Sequence, residues 1–363
     1  MANFDIIFDD KSQKFLYDYI NNFSPTSYEA ENQKRWLEYI KPYIDDYQVD
    51  NYGSVYGIIN PEAEYKVVIE AHADEISWYV HFIDEDGFIY VKRNGGSDAV
   101  IAPSKRVKIF TEKGEVDGVF GWPAIHLRKR GKLDAPTIQN IFIDCGCKSR
   151  KEVAELGVQI GDVICFDDDL MEMNKKYLVS RALDNRIGGF IIAQVARLFH
   201  ENGIKLPFGL YFVNSVMEEV GLRGATMATQ NIKPDVAIVV DVGHDTTTPM
   251  IKVKEEGEFE VGKGPIISFA PAIQNNLLKM LLETARENDI PFQREALSRA
   301  TGTDTDAFAF SNGGVVSALI SLPLRYMHTT VEMVDKNDVS DVIKLYYHTL
   351  QKIQNNHDFR YFK

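Results

Sequence analysis

Six residues with acid–base or metal-binding side chains occur where apolar, strand-like segments meet turns. They are His72, Asp184, Glu218, Glu219, Asp241 and His328. Imidazole and carboxylate groups together are typical ligands of zinc and similar divalent ions. A carboxylate that is not needed as a ligand can act as a general base toward water. Only a fold that gathers several strand ends can bring these distant residues together, and the set predicts a two-metal hydrolase.

The first motif is E-A-H-A-D-E (70–75), which closes the apolar segment KVVIEAH. A metal-binding imidazole usually donates its other ring N–H to a carboxylate or a carbonyl group. Asp74 has this role toward His72 if the chain bends here. The alternative is a histidine that is satisfied within a strand-end turn.

The second motif is S-R-A-L-D-N-R-I-G-G (180–189), in which Asp184 precedes an amphipathic helix. Aspartate at this position often caps the helix N-terminus, and Asp184 taken alone favours that role. Each oxygen of the carboxylate can instead serve one metal ion, so Asp184 is also a candidate bridging ligand.

The third motif is N-S-V-M-E-E-V-G-L-R-G-A (214–225), in which Glu218 and Glu219 close a buried apolar strand. Adjacent buried acids repel each other unless a positive group pairs with them. Arg223 is one candidate for that group, and a metal ion is a better one. The alternative is a solvated turn. In a metal site, one glutamate binds the ion while its neighbour faces the reacting water.

Two further motifs complete the set. Asp241 ends the apolar segment DVAIVVD, and His244 in the loop after it is expected to lie at the surface or behind the ligands. His328 lies in L-R-Y-M-H-T-T-V-E-M-V (324–334), after the strand-like segment VVSALISL. A single histidine there means little, but as the last member of a ligand set it becomes informative.

Apolar periodicity predicts the elements that position these residues. Amphipathic helices are expected over 11–22, 31–41, 186–202, 273–288 and 337–353, and buried strands over 66–72, 207–216, 235–242 and 315–322. This alternation predicts an α/β fold with a mostly parallel sheet sandwiched by helices. Ligands of such sheets bind beyond the carboxyl ends of the strands, where four of the six residues lie.

The predicted domain organisation follows from a change in the pattern of apolar segments along the chain. Short aromatic and β-branched segments, split by Gly, Asp and Asn, replace the alternation between about 76 and 175. This pattern is typical of a small antiparallel β structure. We predict one catalytic domain built from residues 1–75 and 176–363, and a β-rich domain inserted at 76–175.

Composition limits the partners. The formal net charge of −13 argues against nucleic-acid binding, which needs a basic face. No apolar segment reaches the ~20 residues that span a bilayer, so no membrane association is expected. Three cysteines without C-x-x-C spacing, and no leader peptide, favour a cytoplasmic protein. The basic segment 127–132 is expected to be a solvated hairpin tip.

Together the five motifs resemble the tetrahedral-aminopeptidase family, also called the glutamyl-aminopeptidase or cellulase-M-like family. The strings E-E-V-G-L-R-G-A and R-Y-M-H-T-T-V-E-M carry most of the resemblance, which runs in order along nearly the whole chain. Members are dinuclear metallo-aminopeptidases, so the resemblance implies removal of N-terminal residues from short peptides with two divalent ions. Zinc is the expected metal, and cobalt and manganese are the alternatives.

The resemblance implies a role for each matching residue. His72 and Asp241 would hold one ion, Glu219 and His328 would hold the other, and Asp184 would bridge the two. The inserted domain sits where the family carries its lid and dimerisation domain.

The same resemblance implies that Glu218 is the general base and later the general acid, and that Asp74 orients His72. It also implies a cis peptide between Asp184 and Asn185. The segment T-G-T-D-T-D-A-F (301–308) departs from the family's loop at Thr305 and Asp306. We hypothesise that Asp306 favours a basic N-terminal residue in the substrate.

The family also assembles, through dimers, into twelve-subunit tetrahedral shells, so a homo-oligomer is expected here. Aromatic residues of the insert can supply an interface or fill a small β core; they are Trp78, Tyr79, Phe82, Phe88 and Trp122.

Three alternatives remain open at this point. A dinuclear deacylase would use the same ligands, and only its pocket would differ. A cellulase needs two carboxylates about 5–9.5 Å apart across the bond, and its activity should survive chelation. A scaffold protein without activity would be expected to have lost a ligand, and none is missing.

Overall fold

The computed structural model describes residues 2–128 and 135–362. Two helices open the chain, α1 (Asp10–Asn21) and α2 (Ala30–Ile40), and three strands follow, β1 (Asp46–Val49), β2 (Val55–Ile59) and β3 (Lys66–His72). Helix α1 forms because its apolar side chains recur at helical spacing: Phe15, Leu16, Tyr19 and Ile20 are all buried. Strand β3 coincides with the predicted segment 66–72.

The chain then leaves the sheet and forms a closed six-stranded barrel. Its elements are β4 (Ser77–Ile83), β5 (Ile89–Asn94), β6 (Arg106–Thr111), β7 (Gly114–Gly121), β8 (Phe142–Asp144), α3 (Arg150–Leu156) and β9 (Val163–Phe166). The strands pair in the order β4-β5-β8-β7-β6-β9. From residue 129 onward, the hairpin tip predicted at 127–132 falls outside the described residues.

The barrel has a hydrophobic core of its own, centred on Trp78, Phe120 and Ile164. Of the five aromatic residues singled out in the sequence, Trp78 is fully buried, whereas the side chain of Phe82 is 47% exposed. Trp122 packs against the barrel core from its edge. The predicted aromatic segments therefore divide between core and surface.

Alternating helices and strands return after the barrel. They are β10 (Met171–Met173), β11 (Tyr177–Ser180), α4 (Leu183–Glu201), β12 (Gly209–Ser215), α5 (Arg223–Ile232), β13 (Val236–His244), α6 (Val253–Glu256), β14 (Ile266–Phe269), α7 (Asn275–Glu287), β15 (Gln293–Ala296), α8 (Asp304–Ala309), β16 (Val316–Leu324), β17 (Glu332–Asp335) and α9 (Lys336–Lys352). The predicted long helices and buried strands of this half are all present, with ends displaced by a few residues.

The main sheet has eight strands in the order β1-β2-β12-β3-β13-β16-β14-β15. The four central strands β12, β3, β13 and β16 are parallel, and antiparallel pairs lie toward the flanks. Almost every residue of these central strands is buried, although neighbouring side chains point to opposite faces. Helices must therefore cover both faces. The predicted α/β fold with a mostly parallel sheet is confirmed.

Helix α4 lies against the centre of this sheet, and α1, α2 and α9 pack around it. A second pair of helices, α5 and α8, packs together against β12, β13 and β16. The carboxyl ends of β3, β12, β13 and β16 remain accessible at one edge. Within the described ranges, no helix combines the length and apolarity that crossing a bilayer requires.

Candidate active site

The end of strand β3 places two of the predicted residues. His72 is the last residue of β3 and is buried, and Asp74 follows it with no exposed surface. The His72 Nδ1 atom lies 3.4 Å from Asp74 Oδ1. Asp74 also accepts backbone N–H groups from Glu218 at 3.0 Å and Glu219 at 3.3 Å. Asp74 therefore contacts the histidine and also holds the turn that carries both glutamates.

The turn after β12 presents the two glutamates. Gly224 makes this turn possible, because a Cβ atom there would lie 2.2 Å from the carbonyl oxygen of Val216. Glu219 Oε1 lies 3.3 Å from His328 Nε2, and Glu218 Oε2 lies 3.9 Å from His72 Nε2. Among the described residues, Arg223 makes no ion pair with either glutamate, so it does not supply their positive partner.

Asp184 occupies the centre of the cluster. Its Oδ1 atom lies 3.2 Å from His72 Nε2, and its Oδ2 atom lies 3.3 Å from His328 Nε2. The peptide between Asp184 and Asn185 is cis, as the resemblance implied. The alternative role of Asp184 as a helix cap is not seen, because among the described residues no backbone N–H of α4 donates to its carboxylate, and its own backbone angles are non-helical.

Two strand ends complete the cluster. Asp241 lies within β13, and its Oδ1 atom is 3.9 Å from His72 Nε2. His328 lies beyond β16 in a left-handed backbone conformation, with φ of 60°. His244 follows Asp241 on β13; it is exposed and lines the mouth of the cavity, as expected.

The spacing of these groups fits divalent metal ions. The ligand atoms of His72, Asp184 and Asp241 lie within 4.8 Å of one another, and so do those of Asp184, Glu219 and His328. Ligands about 2.0–2.1 Å from a tetrahedral zinc ion lie about 3.3 Å apart, close to the shortest separations here. Asp184 belongs to both groups, so the donor set fits two neighbouring ions with a shared carboxylate.

The electrostatics of the cluster also fit cations. Burial raises the pKa values of Glu218, Glu219 and Asp241 above their usual range. Burial opposes charge on the imidazoles, but the surrounding carboxylates raise the pKa of His328 to about 11. Four carboxylates around two imidazoles are short of positive charge, which bound cations would provide.

Glu332 also supports the cluster, a role that the sequence did not indicate. It is buried and accepts the backbone N–H of Asp184 at 3.0 Å and that of His328 at 2.7 Å. One carboxylate therefore positions two members of the cluster. The signal in the sequence was its place four residues after His328, but its partner Asp184 is distant and could not be inferred.

Glu75 was also missed. It is buried and pairs with Arg181 and with Arg186, the latter at 2.9 Å. Its Oε1 atom also accepts the backbone N–H of Ser24 at 2.7 Å. The two arginines flank Asp184 in sequence, so this ion-pair network fixes the start of α4 against the point where the chain enters the barrel.

A third feature that the sequence did not indicate is a pair of buried acids near the cluster, Glu70 and Asp304. The Ser215 hydroxyl lies 2.6 Å from Glu70 Oε1 and 2.9 Å from Asp304 Oδ2. Burial raises the pKa of Glu70 well above its usual range, and the charge of Asp304 adds to this. A proton held on Glu70 would let the two carboxyl groups coexist.

A cavity of about 650 Å³ opens beside the cluster. Besides residues of the cluster, it is lined by Glu295, Leu297, the loop around Thr301, Asp306 and Met327. A carboxylate and histidine cluster next to a cavity, at the carboxyl edge of a helix-covered parallel sheet, is the arrangement expected of an α/β hydrolase with a candidate metal site.

Comparison with known proteins narrows the class to a family. The sequence profile of the M42 glutamyl aminopeptidases matches residues 53–345. A lysyl aminopeptidase of Pyrococcus furiosus is 34% identical over 313 residues, which cover 85% of this chain and 88% of that protein. The chain therefore belongs to the M42 glutamyl aminopeptidase family, and it is an aminopeptidase, a hydrolase of peptide bonds.

Solved structures agree with this assignment. A TET aminopeptidase from a marine-sediment Thaumarchaeota archaeon matches with a TM-score of 0.90 at 28% identity, covering 96% of this chain and 98% of that one. The TET1 peptidase of Pyrococcus horikoshii, described as assembling into a tetrahedron or a large octahedral shell, matches with a TM-score of 0.83 at 26% identity. These alignments cover 94% of this chain and 100% of the P. horikoshii chain. The predicted family is confirmed.

Proposed function

We propose that this aminopeptidase works with two divalent ions that share the carboxylate of Asp184. The observation that carries the proposal is the position of its two oxygens, which face different imidazoles at 3.2 and 3.3 Å. A carboxylate that only capped a helix or formed one ion pair would have no reason to lie between two histidines.

The ligand sets follow from the same geometry. His72 and Asp241 would complete one site with Asp184, and Glu219 and His328 would complete the other. Zinc is the expected ion, with cobalt and manganese as alternatives. Bound ions would polarise the peptide carbonyl group and lower the pKa of a water molecule at the site.

Glu218 is the proposed general base. It lines the cavity, and its carboxylate lies within 4.8 Å of the ligand atoms of His72 and Glu219 as well. The two ligand sets that share Asp184 do not include it, which leaves it free for proton transfer. Its carboxylate accepts a proton from the attacking water and returns that proton to the leaving amine. Asp74 keeps His72 in the orientation that the site requires, and it holds the backbone of Glu218 in place.

The cavity is the proposed binding site for the N-terminal residue of a short peptide, and we propose that it prefers a basic side chain. Asp306 Oδ2 accepts the N–H groups of Thr301 and Gly302, so this carboxylate mainly holds the loop. Glu295, which also lines the cavity, makes one hydrogen bond to the Ser268 hydroxyl and is the better partner for a substrate cation. A relative named lysyl aminopeptidase supports this preference.

We further propose that residues 76–175 act as a lid and dimerisation domain on a catalytic domain formed by 1–75 and 176–363. The separate barrel core supports this division. The exposed side chains of Ile125 (71%) and Leu127 (80%) offer apolar contact area on the barrel. A homo-oligomer built from dimers, up to a tetrahedral dodecamer, is consistent with the assembling P. horikoshii relative. Three free cysteines support a cytoplasmic location.

Calorimetric titration of zinc into chelator-treated protein tests the two-ion proposal. We expect two equivalents in the wild type. Asp184→Asn should lose both, because the amide cannot supply two anionic oxygens. Glu295→Gln, a control on the cavity wall, should keep both. A wild type that binds one equivalent or none would overturn the two-ion site.

A further inference from the structure

A turn of the inserted barrel, with the sequence Asn-Gly-Gly-Ser (residues 94–97), lies against the proposed metal site. Buried hydrogen bonds fix the turn at both ends. The Asn94 amide donates to the carbonyl of Thr26 at 2.9 Å and to the Ser77 hydroxyl at 2.8 Å. The Ser97 hydroxyl donates to the carbonyl of Ser77 at 2.6 Å. The backbone between these anchors has little freedom to move.

This backbone packs directly against two of the proposed ligands. A Cβ atom on Gly96 would lie 2.5 Å from Nδ1 and 2.6 Å from Cε1 of His328, and one on Gly95 would lie 3.0 Å from Cβ of Glu219. Gly96 does not have a positive φ, so backbone conformation alone does not require glycine there. Glycine is required there because any larger side chain would collide with the His328 ring.

A second contact from the barrel reaches the same loop. The Lys105 ammonium group, just before β6, donates to the hydroxyl of Thr330 and lies 3.2 Å from Asp168 Oδ1. Thr330 is two residues beyond His328. The barrel therefore contacts the loop that carries His328 at two points, and Glu332 of β17 holds the same loop by a hydrogen bond.

We propose that the barrel is a structural part of the metal site, with Gly95 and Gly96 as positioning residues for Glu219 and His328. This inference rests on the proposed function for the identity of the ligands. Metal ligands must lie within about 0.2 Å of their ideal distances, so a wall that fixes the imidazole contributes to metal affinity. The inserted domain then has a role in the active site of its own chain, separate from any role in assembly.

The test is Gly96→Ala, with Gly114→Ala as the matched control. The control glycine lies in a barrel hairpin at φ +123°, and a Cβ atom there would meet nothing within 4 Å among the described residues, so the substitution strains the barrel without touching the site. We expect the added methyl group of Gly96→Ala to displace the His328 ring and to weaken binding of one zinc equivalent about 10- to 100-fold, the size of effect that changes behind a metal ligand typically have. The control should bind both equivalents as the wild type does.

A thermodynamic cycle with His328→Ala identifies the contact. In metal-free protein, Gly96→Ala should lower the melting temperature, and that loss should largely disappear when the His328 ring is absent. An equal loss in both backgrounds, or unchanged zinc affinity in Gly96→Ala, would overturn the proposal. The cycle needs no metal, so it still decides the contact if the wild type binds no zinc and the proposed function fails.

Lys105→Met provides a second variant if Gly96→Ala does not fold. It keeps the aliphatic part of the side chain and removes only the donation to Thr330 and the pairing with Asp168. We expect weaker binding of the same zinc equivalent with the barrel intact. Unchanged binding in Lys105→Met would then count against the proposal.

Discussion

At the residue scale, hydrogen bonds to other buried carboxylates hold the backbone of the residues that form the cluster. Glu332 fixes the backbone of both Asp184 and His328, and Asp74 fixes the turn of Glu218 and Glu219. Positions set in this way by hydrogen bonds behind the ligands are typical of metal sites. The acids of the cluster repel one another, and bound cations would offset this repulsion.

The proposed base can be separated from the ligands by mutation. Glu218→Gln removes the proton acceptor and keeps the size of the side chain. We expect kcat to fall roughly 10²–10⁴-fold while zinc binding and the melting temperature stay near wild type, because neither ligand set includes Glu218. Kinetics and calorimetry on the same preparation check this. Loss of zinc with the activity would instead make Glu218 a ligand.

The proposed preference for substrates with a basic N-terminal residue would depend on the acidic side chains of Glu295 and Asp306. Glu295→Gln should lower kcat/KM for a lysyl peptide more than for a leucyl peptide, because it removes a negative charge from the cavity wall. Asp306→Asn keeps an oxygen that can accept from Thr301 and Gly302, and it should change the ratio less. The ratio of the two kcat/KM values, measured for each variant, is the readout. An unchanged ratio in both variants would reject an electrostatic preference.

At the scale of elements, the ends of the central strands and the starts of the long helices were predictable to within a few residues. Strand β3 has the predicted bounds because a continuous apolar segment and its polar flanks define both ends. Regular helical geometry in α4 also begins at the predicted residue, Arg186, because Asp184 and Asn185 have non-helical backbone angles. The cis peptide between Asp184 and Asn185 was implied only by the resemblance, and the local residue pattern carries no signal for it.

A charged pair joins helix α1 to α4, and its contribution to the stability of the fold should depend on pH. Asp9 caps α1 by accepting the N–H of Ser12 at 2.9 Å, and it pairs with Arg197 of α4 at 2.6 Å. The hydrogen bond with Arg197 lowers the pKa of Asp9 from 3.8 to about 2. Its ionised form therefore stabilises the fold above about pH 3.8, and this contribution is lost as the pH falls through about 2.

We expect Asp9→Asn to lower the melting temperature at pH 7 and to differ progressively less from wild type below about pH 4. Asparagine caps a helix about as well as aspartate, so this substitution keeps the cap and removes the charged pair with Arg197. Asp10→Asn, an exposed change one residue further on, is the control and should have little effect at either pH. Thermal unfolding followed by circular dichroism at several pH values measures the difference. A constant difference across the range would show that the Arg197 pair contributes little.

At the scale of the whole molecule, the sequence predicted the α/β sheet, a β-rich insert and all six residues of the cluster. It predicted the cluster because parallel strands β3, β12, β13 and β16 must end at one edge. It did not predict that the insert closes into a barrel, since short strands carry no signal for closure. The contact of Gly96 with His328 was also beyond reach, because it depends on how the barrel sits on the sheet.

Metal removal should affect the stability of the whole chain. Ligands that bind only the folded state stabilise it by mass action, by about 2.7 kcal/mol at a hundredfold excess over Kd. Chelation would also leave buried carboxylates without cations. We therefore expect the melting temperature to fall by several degrees on chelation and to recover on adding zinc. Calorimetric unfolding with and without chelator measures this, and identical transitions would argue against structural binding of metal.

The most direct test of the central claim is a peptide assay with the purified protein. Unblocked and N-acetylated short peptides would be compared, with a chelator and with zinc, cobalt or manganese added back. We predict release of single N-terminal residues from unblocked peptides only, abolished by chelation and restored by metal. Cleavage restricted to acetylated peptides would indicate a deacylase, and aminopeptidase activity that resists chelation would contradict the two-metal account.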